Sequence, residues 1–346
     1  MNTTLMKNST YIQPSDVSII ILNYKNSNDT ITCLQHLAHL HSAPRRILVV
    51  DNNSCDNSVE KILTEWNLFS SPVVINGSKL IQNNYFPSAI LVTLQENEGY
   101  ASGNNIGIQV ALNDNECKAI WVINNDTEPH PDSLIELCKR FNSISNAGII
   151  GSTIVYKHKN NILQCAGGAS LNKILGTTTH KYNGIGLEKA LLLDSKDVEK
   201  TLDYICGASM LIGRDVIMRI GEFEKKFFMY FEDVEYCIRA KKAGFSLGYA
   251  VNSIIYHKEG GTSCAHTAMG DRTIARPLWV DYLMLRNRIW CMKRHFSFSL
   301  PFACCSYIGV AFKRVYRKQF LRIPYVFKAM HDGLTGKMGK PAIFSL

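Results

Sequence analysis

The chain has 346 residues, 46% of them hydrophobic and 19% charged, which is too apolar for a disordered chain and long enough for one large domain or two ordinary ones. The net charge of +9 is uneven. Residues 272–346 hold 14 of the 38 Lys and Arg but only Asp281 and Asp332 among the 29 Asp and Glu, so the first 271 residues carry a net charge of −3. The opening residues are polar with no apolar h-region, and the 11 cysteines show no CxxC or framework spacing. That pattern reads as a cytoplasmic chain with reduced thiols and argues against a disulfide scaffold or a zinc module.

The unbroken apolar run at 17–22 (VSIIIL) predicts a strand buried on both faces. A polar loop at 23–28 leads into a helix with Ile31, Leu34, Leu37 and Ala38 on one face. A second strand at 47–50, a polar DNNSCDNS turn and a helix over 59–66 follow, and residues 67–89 read as an inserted excursion. Next come a strand at 90–94, a helix over 100–112 and a strand at 119–123, with Pro131 placed to open a helix that runs to about 141. This alternation predicts an α/β fold with a mostly parallel central sheet flanked by helices.

Beyond 148 the pattern loosens. A strand at 149–156 precedes a long loop region at 157–203, then a strand at 204–212 and a short helix at 215–220. A helix over 232–243 begins with two acids, where the positive end of its dipole stabilises them, and strands follow at 246–251 and 253–256. The apolar stretch 296–312 is flanked by Lys293-Arg294-His295 and Lys313-Arg314. Seventeen residues with an internal Pro301 are marginal for a span, so the segment reads as a basic amphipathic helical segment lying in a membrane interface. A core helix pair is the competing reading. A basic tail suits nucleic acid or an anionic membrane; the interleaved Phe, Tyr, Leu, Ile and Trp favour the membrane, so no nucleic-acid partner is expected, and a nucleic-acid binder is a competing reading that rests on the basic tail alone.

In an open α/β sheet, ligands bind beyond the carboxyl ends of the strands. Four such ends carry polar loops here: Asn23-Tyr24, Asp51-Asn52-Asn53-Ser54, Asn97-Glu98-Gly99-Tyr100 and Asn124-Asn125-Asp126. Any one is an ordinary turn or helix cap, but all four on one edge make a crevice for a base, a ribose and a diphosphate. No GxGxxG follows the first strand, so the nicotinamide-dinucleotide fingerprint is absent. Asp126, at the tip of the fourth strand, is placed to ligate a metal, and His257, followed by Glu259-Gly260-Gly261, is a second candidate. Glu232 and Asp233 follow an aromatic run at 227–231, which suggests a partly dry pocket where a carboxylate becomes a useful base. The competing reading is that the two acids only complement the helix dipole.

The blocks VSIIILNYKN, VVDNNSCDNS, QENEGYASGNNIGI, INNDTEPHPDSL, FFMYFEDVEYCIRAKKAG and YHKEGGTS, in this order over residues 15–270, resemble the signature of family 2 glycosyltransferases of the GT-A fold. The branch they resemble holds bacterial rhamnosyltransferases of cell-surface polysaccharide assembly. The resemblance implies a polar tail at 1–15, a GT-A domain at 16–270 (nucleotide-binding half 16–130, acceptor and catalytic half 131–270) and a membrane-associating region at 271–346. It implies nucleoside contacts from Asn23, Tyr24, Asp51, Asn53 and Asn97, and a donor pocket lined by Asn104 and Asn124. The family's D-x-D appears as Asn124-Asn125-Asp126, so Asp126 with His257 would hold Mn²⁺ or Mg²⁺. Asp233 would be the general base and Glu232 an acceptor contact.

The implied activity is inverting transfer of a sugar, L-rhamnose from dTDP-rhamnose, to a lipid-linked saccharide of an O-antigen or capsule, on the inner face of the plasma membrane. A UDP-sugar donor, including galactofuranose, is the alternative. A sugar-nucleotide pyrophosphorylase requires a glycine-rich basic loop after the first strand, and residues 23–28 contain no glycine. An inactive membrane scaffold has the missing first acid of D-x-D as its support.

Overall fold

The computed structural model describes residues 11–77, 87–159, 161–258 and 276–344. The first ten residues of the polar tail, Glu259-Gly260-Gly261 and the expected boundary at 270/271 lie outside the described residues. The first half alternates as expected: β1 (Val17–Asn23), α1 (Ser27–Ala38), β2 (Arg46–Asp51), α2 (Ser58–Trp66), β3 (Val73–Asn76), β4 (Ala89–Thr93), α3 (Gly99–Leu112) and β5 (Ala119–Asn124). Strands β1, β2, β4 and β5 are parallel neighbours and almost wholly buried, which is why their sequences are continuous apolar runs rather than alternating ones. The excursion at 67–89 contains β3, a parallel edge strand beside β4. Its four residues are mostly exposed, too short and too wet to show a pattern.

The second half completes the sheet with β6 (Thr127–Pro129), α4 (Ser133–Asn142), β7 (Ala147–Tyr156), β8 (Leu163–Ala166), β9 (Gly168–Leu171), β10 (Thr178–His180), α5 (Leu187–Ala190), α6 (Ser195–Glu199), β11 (Tyr204–Ile205), β12 (Ser209–Gly213), α7 (Arg214–Ile220), α8 (Glu232–Lys242) and β13 (Ser246–His257). The main sheet runs β3-β4-β2-β1-β5-β12-β7-β13-β6, with β8 beside β7, and a small sheet runs β10-β9-β11. The fold is α/β with a mixed, mostly parallel sheet. Antiparallel β12 between β5 and β7 makes it mixed.

Several expectations are corrected. Residues 157–203 are not one loop but four-residue and shorter strands with two short helices, none long enough to display a period. The strand expected at 204–212 breaks at Cys206–Ala208, so β11 and β12 join different sheets. The two strands expected at 246–256 are one strand, its register with β7 interrupted between Ala250 and Ile254. Pro131 stands outside α4, ahead of its cap Asp132.

Three helices close the chain: α9 (Leu278–His295), α10 (Leu300–Tyr316) and α11 (Ile323–Thr335). The inner face of α10 buries Ala303, Tyr307 and Ala311 against α9 and α11, while Phe302, Ile308, Phe312 and Tyr316 stand exposed along its outer face. Each sequence reading of this segment therefore describes one side of the helix. Among the described residues no helix is long and apolar enough to cross a membrane.

Candidate active site

A cavity of about 340 Å³ opens at the carboxyl edge of β1, β2 and β5 and extends under the start of α8. Tyr24, Asn52, Asn97, Tyr100 and Asn124 line its sheet side. The structure places Asn23, Asp51 and Asn104 one layer below that wall rather than on it, each almost fully buried. Asn23 Nδ2 donates to Asp51 Oδ1 (2.7 Å), Thr30 Oγ1 donates to Asn23 Oδ1 (2.7 Å), and Ser54 donates to both oxygens of Asp51. This network ties the ends of β1 and β2 together and sets the height of the Tyr24 and Asn52 loops. Asn104 Nδ2 donates to the Tyr100 carbonyl (2.9 Å) inside α3. Asn53, in the left-handed region at φ 57°, donates to the Gln95 carbonyl and bridges neighbouring loops. Asn97 Oδ1 accepts from Asn52 Nδ2 and from the Gly99 amide, both at 3.0 Å.

Tyr100, which the sequence places in one of the four polar loops without a role of its own, lines the cavity. Its hydroxyl reaches Asn124 Oδ1 (3.0 Å) and the Gly207 carbonyl (2.9 Å), joining the end of β5 to the segment between β11 and β12. It lies within the QENEGYASGNNIGI block, but nothing in its spacing distinguishes a cavity tyrosine from a packed one.

Asp126 and His257 come together although 131 positions separate them, because β13 pairs with β6 at His257–Thr127. His257 Nε2 lies 3.2 Å from Asp126 Oδ1, and both residues are buried in the cavity wall. His257 Nδ1–H donates to Gln164 Oε1 at 2.7 Å, which fixes the ring with Nε2 facing the carboxylate. Two donors each ~2.1 Å from one octahedral ion lie ~3 Å apart, so this pair fits one divalent cation. Among the described residues no third His, Cys, Asp or Glu completes a cluster. Gln164 falls in the region read as loop; its role is visible only in three dimensions.

Glu232 and Asp233 open α8 on the opposite wall. Asp233 accepts from the Val234 amide (2.8 Å) and the Gly207 amide (3.2 Å). A Cβ at Gly207 would stand 3.3 Å from Asp233 Oδ2, so glycine there lets the backbone come this close. Burial pushes the Asp233 carboxyl up to about 6, and those two amides limit the rise. Glu232 is driven further above the usual range, by burial and by the Asp233 charge, and its buried Oε2 has no hydrogen-bond partner. Burial and the neighbouring charge therefore disfavour the ionised form of Glu232 more strongly than that of Asp233.

The turn before α8 is strained. Phe228 (φ 66°), Tyr230 (φ 71°) and Phe231 (φ 72°) all lie in the left-handed region, and Met229 N donates back to the Phe227 carbonyl (2.8 Å) around a γ-turn at Phe228. The Phe228 ring and carbonyl fit against α3 only because Gly99 has no side chain; a Cβ there would meet both at 2.4 Å.

A cleft at the strand ends of this α/β fold, with Asp126 and His257 on one wall and a buried carboxylate pair on the other, fits the site of a glycosyltransferase. Residues 18–182 match the family model described as glycosyl transferase family 2. It is 26% identical over 335 residues to the low-salt glycan biosynthesis hexosyltransferase Agl10 of Haloferax volcanii, covering 94% of this chain and 93% of that protein. Among solved structures, it resembles the mannosyltransferase PcManGT from Pyrobaculum calidifontis in complex with GDP-Man and Mn²⁺ (TM-score 0.53, 12% identity, 96% of this chain and 90% of that one). It also resembles GalNAc-T7 with UDP, GalNAc and Mn²⁺ (TM-score 0.50, 12% identity, 80% of this chain and 47% of that one). These two likenesses define the fold. None of these three relatives is described as a rhamnosyltransferase.

Proposed function

We propose that the chain transfers a hexosyl unit, with inversion, from a nucleotide-diphosphate sugar to a saccharide acceptor carried at a membrane surface, in glycan biosynthesis. The observation that carries this reading is the placement of Asp233, raised to about 6, across one cavity from the Asp126–His257 pair. Asp233 takes the proton of the acceptor hydroxyl. That oxygen bonds to the anomeric carbon from one face as the carbon–oxygen bond to the diphosphate breaks on the other, and the electron pair leaves with the diphosphate. A bound Mn²⁺ or Mg²⁺ held by Asp126 and His257 would neutralise that departing charge. Glu232 contacts the acceptor beside the base, and Tyr24, Asn52 and Asn97 orient the nucleoside.

The donor follows from the base. The resemblance to rhamnosyltransferases favours dTDP-rhamnose, and the relatives bring UDP- and GDP-linked hexoses alongside it. Thermal shift with UDP, dTDP, GDP and NAD, each with and without Mn²⁺, separates them. A ligand at a hundred times its dissociation constant stabilises by ~2.7 kcal/mol. A metal-dependent shift with one nucleoside diphosphate and none with NAD is the expected result; no shift with any nucleotide would favour the inactive scaffold.

The membrane part of the reading rests on α10. Its exposed Phe302, Ile308, Phe312 and Tyr316 form one stripe, and exposed Lys313, Arg317 and Lys318 border its end. No acid competes there: Asp281 is paired with Arg314 and Arg322, and Asp332 is buried. An apolar stripe rimmed by cations suits an anionic lipid surface. Each buried Phe contributes ~1.5–3 kcal/mol, so Phe302→Asp with Phe312→Asp should lower partitioning onto phosphatidylglycerol vesicles at least ~10-fold. Equal sedimentation of the double variant with the vesicles would remove this surface from the reading.

A further inference from the structure

The strained turn that presents the carboxylates is held from outside the catalytic domain. Asn287, on α9 and fully buried, directs its amide nitrogen at three carbonyls of that turn: Phe227 (3.0 Å), Met229 (2.8 Å) and Tyr230 (2.8 Å). Its oxygen accepts from Arg286 Nε at 3.0 Å, which fixes which end of the amide faces the turn. Arg286 is buried too. Its Nη2 donates to the Phe227 carbonyl (3.3 Å) and its Nη1 to the Gly339 carbonyl (2.8 Å), while the Gly339 amide donates to the Lys226 carbonyl (2.7 Å). One amide and one guanidinium thus join the C-terminal region to the backbone that aims α8.

Left-handed backbone at three of four consecutive non-glycine residues persists only where surrounding contacts over-determine it. Nothing in ordinary core packing calls for a buried amide nitrogen shared among three carbonyls of one turn. Their common effect is to bring Phe231 into place as the cap of α8 and to set the direction in which Asp233 leaves it. We infer that Asn287, oriented by Arg286, is a positioning residue for the transfer reaction: it locks the Phe228–Phe231 turn so that Asp233 meets the acceptor hydroxyl. The inference rests on Asp233 acting as the base. It also gives the C-terminal helices a second role, as part of the frame of the active site.

Among the described residues the groups facing Asp233 are Glu232 and Cys237 on its own helix, Tyr100 from α3, Tyr204 on β11, Cys206 just after it, and Cys291 from α9. Burial is the main cause of the raised Asp233 titration. Loosening the turn admits water and lets it fall toward the ordinary carboxylate range.

The test is Asn287→Ala in the full-length protein, compared with wild type and Asp233→Asn. A misplacement of ~1 Å costs ~10²-fold in turnover, so a fall of ~10- to 100-fold is expected, with nucleoside-diphosphate affinity in Mn²⁺ within about twofold of wild type. The acidic limb of the turnover–pH profile should move to lower pH. A variant that is merely less folded loses amplitude with the limb in place, and that result, or normal turnover, would overturn the inference. Asn287→Ser retains one donor, and if the alanine variant does not accumulate it is judged by the same limb shift. Full activity in Asp233→Asn would instead remove the base itself, so the two failures are distinct.

Discussion

Asp233→Asn lowers turnover by at least ~10²-fold and leaves nucleotide binding in Mn²⁺ within about twofold of wild type. The substitution keeps the size of the side chain and one of the two acceptor oxygens that take the Gly207 and Val234 amides; it gives up the other bond and the ability to take a proton. With the carboxyl pushed up to about 6, wild-type turnover should fall as pH drops through that value, and the residual activity of the variant should lack this limb. The linked stability has a definite sign. The folded value lies above the ordinary 3.8, so folding favours the protonated form; that contribution is present below pH 4 and is lost as pH rises through 6. Above pH 6 the asparagine variant, free of a desolvated charge, should melt at or above the wild-type temperature. Turnover and melting temperature across pH 5–9 check both statements, and near-normal turnover would take Asp233 out of the mechanism.

The parts of the site legible in the sequence are those built from short-range pattern. Buried parallel strands announce themselves as apolar runs, so the loops at their ends, with Tyr24, Asn97, Asn124 and Asp126, can be placed on one edge from the sequence alone. The sequence does not carry depth. Asn23 and Asp51 end their strands as expected yet lie beneath the wall, because their side chains bond each other and Ser54. Long-range pairing is equally silent. Gln164 supports His257 only through β8 beside β7 and β7 beside β13, and Asn287 reaches the turn before α8 across about 60 positions. The regions misread, 67–89 and 157–203, are those whose strands have four or fewer residues. Two positions of alternation cannot be told from a loop.

Asp126→Ala should abolish the difference between nucleotide affinity with and without Mn²⁺, and lower kcat/KM by ~10²–10³-fold, the usual cost of losing one stabiliser of a developing anion. His257→Ala should act in the same direction, since its Nε2 shares the same position with Asp126 Oδ1. Gln164→Leu discriminates ligation from support. It removes the partner of His257 Nδ1 and leaves both metal donors in place, so it should weaken Mn²⁺ by ~10–100-fold and be rescued at high metal concentration, where Asp126→Ala is not. Titrating Mn²⁺ into nucleotide-saturated protein by calorimetry reads all three variants without relying on turnover. An unchanged metal response in Asp126→Ala would retire the pair as the cation site and leave the buried Asp126–His257 contact as a structural link between β6 and β13. If the pair holds the cation, the single acid of Asn124-Asn125-Asp126 suffices because the pairing of β13 with β6 brings in a second donor, His257.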